Sequence, residues 1–214
     1  MRSESALAAI LSEKSRFGQL LIERTKTGGF VVCHRDDEHA ADLKVFRNAD
    51  DAIEIARSDA AGNYRPLKTA PNLRRGWQLQ IVDLGELCRA LDCFYPGRVA
   101  ALRAWTENKL MPTALRDTLE RQSGMYRIAS KISDGQIDEV VANVCRSNDG
   151  CLRTILWKRD KTAAIPSAKL PPEKFNAKHD QTGRSENVIP LLCQEACALL
   201  VNECRKAIKV ETSE

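Results

Sequence analysis

No apolar run in the chain approaches the ~20 residues that a membrane span requires. The opening MRSESALAAILSEKSRF sets Glu4 and Glu13 beside a very short apolar patch, unlike a signal peptide. Both absences argue for a cytosolic protein. A strong charge of one sign is lacking as well: 33 Lys and Arg face 29 Asp and Glu, a net +4. That excess is too slight to imply nucleic-acid or membrane binding by charge alone, so neither partner is expected and any basic function must be local. Internal repeats and low-complexity segments are absent too. With 43% hydrophobic and 29% charged residues over 214 positions, the composition is that of a globular protein with a packed core. The length suits two small domains.

Cysteine is the anomaly, with eight in a chain that shows no export signal. The cytosol keeps thiols reduced, so clustered cysteines there read as metal ligands or redox groups before they read as disulfides. Cys33, Cys88 and Cys93 lie apart, whereas Cys145, Cys151, Cys193, Cys197 and Cys204 crowd the last third. Function is expected there.

Periodicity divides the chain. Residues 3–14 carry Leu7, Ile10 and Leu11 on one helical face. FGQLLIERT and GFVVCHRD read as two antiparallel strands, with Gly28 and Gly29 supplying the positive φ of a tight turn. ADDAIEIARSDAAG reads as a helix stopping at Gly62, GWQLQIVD alternates like a strand, and LGELCRALDCF is a helix ending before Pro96. Beyond Pro96 the strand signal fades, and Ile137, Val140, Val141, Val144 and Cys145 recur at helical spacing. Residues 160–190 read as a polar, proline-rich excursion, and CQEACALLVNECRKAIKV as a closing helix. The expectation is an α+β fold: a small antiparallel sheet with packed helices over 1–95, then a mainly helical cysteine domain over 96–214.

Within that second part, Cys145 and Cys151 flank the turn-prone RSNDG, whose Gly150 can reverse the chain. Cys193 and Cys197 stand at i and i+4 on the expected helix. Two half-sites of two thiolates each suit tetrahedral zinc or an iron–sulfur cluster equally in ligand count. The C-x5-C spacing is wider than the usual zinc knuckle and leans toward a cluster. Against both stands the reading of these cysteines as small buried hydrophobes, which four of eight in two close pairs disfavours. Cys204, seven residues after Cys197, reads as core.

The segments YRPLKTAPNLRRGWQLQ, LRDTLERQSGMYRIASKISD, CRSNDGCLRTILW and IPLLCQEACALLVNECRK resemble a bacterial family in which a sirohydrochlorin chelatase-like (CbiX-type) domain precedes a stabilising domain and a [4Fe-4S] cluster domain. The resemblance implies an α+β stabilising domain, then a helical cluster domain whose cysteines match Cys145, Cys151, Cys193 and Cys197. Nothing in the sequence looks like the parallel βαβ units or metal-inserting histidines of the chelatase-like domain, so chelatase activity is not expected of this chain. What the resemblance leaves is an iron–sulfur module for electron transfer, redox sensing or accessory work in tetrapyrrole metabolism, beside a separate chelatase or redox partner. The alternative is a zinc-stabilised interaction protein.

Two further clusters carry chemistry. Arg65, Lys68, Arg74 and Arg75, set among prolines and beside Tyr64 and Trp77, form a stiff basic loop suited to an anionic, carboxylate-rich tetrapyrrole or an acidic partner. Their competing use is in helix capping and internal ion pairs. His34, Asp36, Asp37, Glu38 and His39 offer Co²⁺ or Ni²⁺ ligands, though such a run more often forms a solvated loop. Arg116, Arg121, Arg127 and Lys131 extend the basic character toward the cysteines, and Tyr126 and Trp157 are expected to shield the site.

Overall fold

The computed structural model describes residues 2–65, 72–124, 127–146, 154–162 and 187–211. The chain divides into two compact units: Met1–Lys109 with Asp180–Leu191, and Leu110–His179 with Leu192–Glu214. In chain order the described elements are α1 (Arg2–Ala8), β1 (Lys14–Phe17), β2 (Leu20–Arg24), β3 (Phe30–His34), β4 (Lys44–Phe46), α2 (Asp51–Arg57), β5 (Trp77–Ile81), α3 (Leu84–Phe94), α4 (Arg98–Thr106), α5 (Leu115–Ser123), α6 (Ile128–Lys131), α7 (Asp134–Val141), β6 (Thr154–Ile155), β7 (Asn187–Ile189), β8 (Leu192–Cys193) and α8 (Ala198–Glu211). The class is α+β, as the sequence implies.

The first unit holds a six-stranded sheet in the order β4-β5-β3-β2-β1-β7. Its centre is antiparallel, built by hairpins that join β1, β2 and β3. Gly28 sits at φ 92°, the positive angle demanded by the turn between β2 and β3. The two outer pairings, β4 with β5 and β7 with β1, are parallel, so the sheet is mixed rather than wholly antiparallel. Parallel neighbours need a crossover connection, and α2 lies in the one between β4 and β5. On β5 burial alternates, with Trp77, Leu79 and Ile81 inside and Gln78 and Gln80 partly exposed. Trp77 stacks on Phe94 of α3 at 5.1 Å between ring centroids, which locks helix to sheet.

Two helices differ from expectation. The helix expected to reach Gly62 stops at Arg57, because Ser58 and Asp59 turn into bridges with Tyr64 and Leu73. Helix α4, which composition groups with the C-terminal half, packs on α1 and α3 in the first unit through its buried Val99, Ala101 and Leu102. Helical composition alone carries no information about which neighbour a helix packs on.

The second unit packs α5, α6, α7 and α8 with the two-stranded parallel β6–β8 around one core. That strand pair is an addition to the helical expectation. Helix α7 opens with a capping box: Gln136 N–H donates to Ser133 Oγ at 3.2 Å, and Ser133 N–H to Gln136 Oε1 at 2.8 Å. Arg159 clamps the same helix, bonding both carboxylate oxygens of Asp138 at 2.6 Å and reaching Asp134 at 3.2 Å. Among the described residues no helix is long and apolar enough to cross a membrane.

Candidate metal centre

Helix α7 buries Ile137, Val140 and Val141, then widens at Ala142–Arg146 into a π-helical turn that carries Val144 and Cys145. Such turns are rare and concentrate at functional sites. Strand β8 brings the second thiol. Its register sets Cys193 opposite Ile155 of β6, and Cys193 C=O accepts from Leu156 N–H at 2.9 Å. A bend then leads to Cys197, whose carbonyl accepts from Val201 N–H at 3.1 Å and so opens α8. Cys193 and Cys197 therefore do not share a helical face as expected. The β6–β8 pairing holds the first in a strand, although every residue from 193 to 206 suits a helix.

The three cysteines nonetheless line one narrow cavity of about 10 Å³, room for little more than a single water. Val144, Ile155, Trp157, Ala196, Leu199 and Leu200 also line it, and none of the described residues on this wall carries a charged side chain. Cys145 and Cys193 are buried and Cys197 is half-buried. The Cys193 thiol donates to Glu195 C=O at 3.1 Å. Among the described residues no three His, Cys, Asp or Glu side chains stand close enough to form a ready ligand group, so the thiols share a wall without converging on a point. Cys151 and its RSNDG turn lie outside the described residues, as does Tyr126.

The donor set fits an iron–sulfur group. Thiolates are the soft ligands such clusters take, and among the described residues no carboxylate or imidazole competes on this wall. Cys197 stands at the start of α8, where the positive end of the helix dipole favours an anionic cluster. Trp157 is fully buried on the cavity wall, and its Nε1 has no hydrogen-bond partner. By contrast Cys204 is absent from the wall, and burial pushes its thiol up to about 12. Burial likewise raises Cys33 to about 12 and Cys88 to about 11, so these thiols are inert at neutral pH.

The basic loop takes partners of its own. Arg65 is buried and donates to Ala56 C=O at 3.2 Å, which removes it from any exposed surface. Arg74 pairs with Glu54 at 3.6 Å and Arg75 with Asp36 at 2.6 Å. Lys68 lies outside the described residues. The His34–His39 run is equally committed. Nδ1 of the buried His34 accepts from Asp36 N–H at 3.1 Å, Asp37 accepts from Gly76 N–H at 2.7 Å, and Glu38 pairs with Lys14. Nearer the cysteines, Arg116 is tied to Ala129 C=O at 2.8 Å and to Asp134, so it braces α5 against α6 and α7. Spacing singled out the thiols; neither the π-turn nor the unpartnered indole leaves a mark in the sequence.

Fold and site together describe an α+β protein whose second unit gathers three thiols on one apolar wall, a donor type that iron–sulfur binding proteins use. Residues 4–109 match the family of the DR2241 stabilising domain, and residues 107–206 match the 4Fe-4S iron–sulfur cluster binding domain family. Together the two matches span residues 4–206, in the order that the resemblance implied. Among solved structures it is similar to DR2241 from Deinococcus radiodurans, described as a multi-domain protein with structural similarity to chelatases and two additional novel domains. The match has a TM-score of 0.70 at 26% identity and covers 97% of this chain and 41% of that one. The chain thus spans well under half of that protein's length. No curated protein matches.

Proposed function

We propose that the second unit binds a [4Fe-4S] cluster through Cys145, Cys151, Cys193 and Cys197, and that it serves electron transfer or redox sensing in accessory work beside tetrapyrrole chemistry. The observation that carries this reading is the presence of three thiols, from the π-turn, β8 and the start of α8, on one wall that has no charged side chain among the described residues. The match of residues 107–206 to a cluster-binding domain supports it. A bound cluster supplies reversible one-electron chemistry. The protein's share is to aim the thiols, to exclude water with Leu199, Leu200 and Trp157, and to offset negative charge with the N-terminus of α8. The link to tetrapyrroles rests on the chelatase-like similarity described for DR2241 and on the sirohydrochlorin chelatase-type resemblance, and a chelatase or redox partner would act beside this chain.

The test is anaerobic purification followed by iron, acid-labile sulfide and zinc analysis. The expected result is a brown protein with iron and sulfide in equal amounts that bleaches with dithionite. Cys193→Ser and Cys197→Ser should lose most of both elements, while Cys204→Ala should keep them. Stoichiometric zinc with no sulfide would replace this reading by a zinc-stabilised interaction protein. Full iron and sulfide in Cys193→Ser would remove that residue from the ligand set.

A further inference from the structure

Trp157 and Trp77 are the two largest fully buried side chains, yet their indoles are treated differently. Trp77 Nε1–H donates to Arg74 C=O at 2.6 Å, the ordinary fate of a buried indole. Trp157 Nε1 has no partner, although it is as deeply buried. The ring is not free to search for one. Backbone bonds pin the chain on both sides of it, Leu156 N–H to Cys193 C=O at 2.9 Å and Lys158 N–H to Thr113 C=O at 2.9 Å. An orphaned donor in a native core calls for an explanation, such as stored strain, a redox role, or a water or ion that binds there.

The surroundings say which acceptor is missing. Trp157 shares its cavity with Cys145, Cys193 and Cys197, and thiols aside it is, among the described residues, the one on this wall with a side-chain hydrogen-bond donor. We propose that the Trp157 Nε1–H donates a hydrogen bond to a sulfur of the bound cluster, a bridging sulfide or a ligating thiolate, and thereby raises its reduction potential. The inference rests on the iron–sulfur reading above. Sulfur in such a cluster is anionic and accepts hydrogen bonds, and the reduced cluster carries one more negative charge than the oxidised one. A donor held at fixed distance therefore stabilises the reduced state more. In an otherwise apolar wall the effect is large, because low-dielectric surroundings strengthen the bond.

The test uses the anaerobically purified full chain with its indole nitrogens labelled with ¹⁵N, alongside Trp157→Phe and a variant carrying benzothienylalanine at 157. That isostere keeps the bicyclic ring and replaces the N–H by sulfur. Iron and sulfide content is measured first, then the midpoint potential by EPR-monitored titration and the ¹⁵N coupling to the reduced cluster by pulsed EPR. Expected is a ¹⁵N coupling in the wild type, and in both variants an intact cluster with a tenfold less favourable reduction equilibrium, about 59 mV for one electron. If Trp157→Phe packs too poorly to load, the isostere alone decides. An unshifted potential in a fully loaded isostere, or a loaded wild type with no ¹⁵N coupling, overturns the hydrogen bond and leaves the iron–sulfur reading intact. A wild type without iron and sulfide overturns both.

Discussion

Replacing Gly18 by alanine should be among the most damaging single-methyl additions available to the first unit. Gly18 turns the chain between β1 and β2 at φ 62°, and a Cβ built there would stand 2.8 Å from both Cζ and Oη of Tyr95. Tyr95 is fully buried, meets Phe17 edge-on at 5.7 Å, and its hydroxyl accepts from Gln19 N–H at 2.9 Å. The left-handed backbone alone costs alanine about 1–2 kcal/mol. Pushing the phenol aside strands the Gln19 N–H, worth a further ~1–3 kcal/mol. The sum, about 2–5 kcal/mol, is a large share of the ~5–15 kcal/mol that stabilises a typical domain. Urea denaturation with separate probes of the two units measures it, as a drop in midpoint at unchanged slope. A Tyr95→Leu background tests the mechanism: with the ring gone, Gly18→Ala should cost only the backbone part, so the two changes are strongly non-additive. A loss below ~1 kcal/mol in the wild-type background, or full additivity with Tyr95→Leu, would refute the steric account.

Two other perturbations follow from the same geometry. Burial, partly offset by Asp36 and Asp37, holds His34 below its usual 6.5, so the folded unit prefers the neutral ring that accepts from Asp36 N–H. The depressed value means that this stabilisation is complete above about pH 6.5 and is lost as pH falls from there toward the folded-state value, so denaturation midpoints should decline on that limb. His34→Gln should flatten the decline, and an unchanged slope would show that another group titrates. In the second unit, Ser133→Ala opens the capping box of α7 and should cost ~1 kcal/mol. Because α7 runs straight into the turn that carries Cys145, the same variant should release iron faster to a chelator, and equal release rates would uncouple the cap from the site.

Local patterns carried the elements that are amphipathic over their whole length. Strand β5 alternates inside and outside residue by residue, and α3 has its N-cap Asp83 and a continuous buried face, so each is legible without knowledge of its partners. Strands β1, β4 and β7 are three or four residues long and mix charged, polar and apolar residues; only sheet pairing makes them strands. The same holds at the thiols. CQEACALLVNECRK has helical propensity throughout, yet two residues of parallel pairing with β6 override it at Cys193. Spacing therefore selected Cys193 and Cys197 through a geometry that they do not adopt. Arg65 shows the converse, a charged residue in a basic loop whose burial depends on the carbonyl of Ala56, which no composition reveals.

The pairing of β7 with β1 has a consequence for the order in which the molecule is made. Strand β1 emerges from the ribosome long before its outer neighbour Asn187–Ile189, which follows the Leu110–His179 part of the second unit. At ~5–20 residues per second, the β1 edge waits seconds with its backbone groups unpaired, a template for wrong partners during that interval. Cys193 emerges only a few residues after β7. The stretch of chain that closes the early sheet thus carries directly behind it a thiol of the late site, so neither unit can be finished during synthesis much before the other.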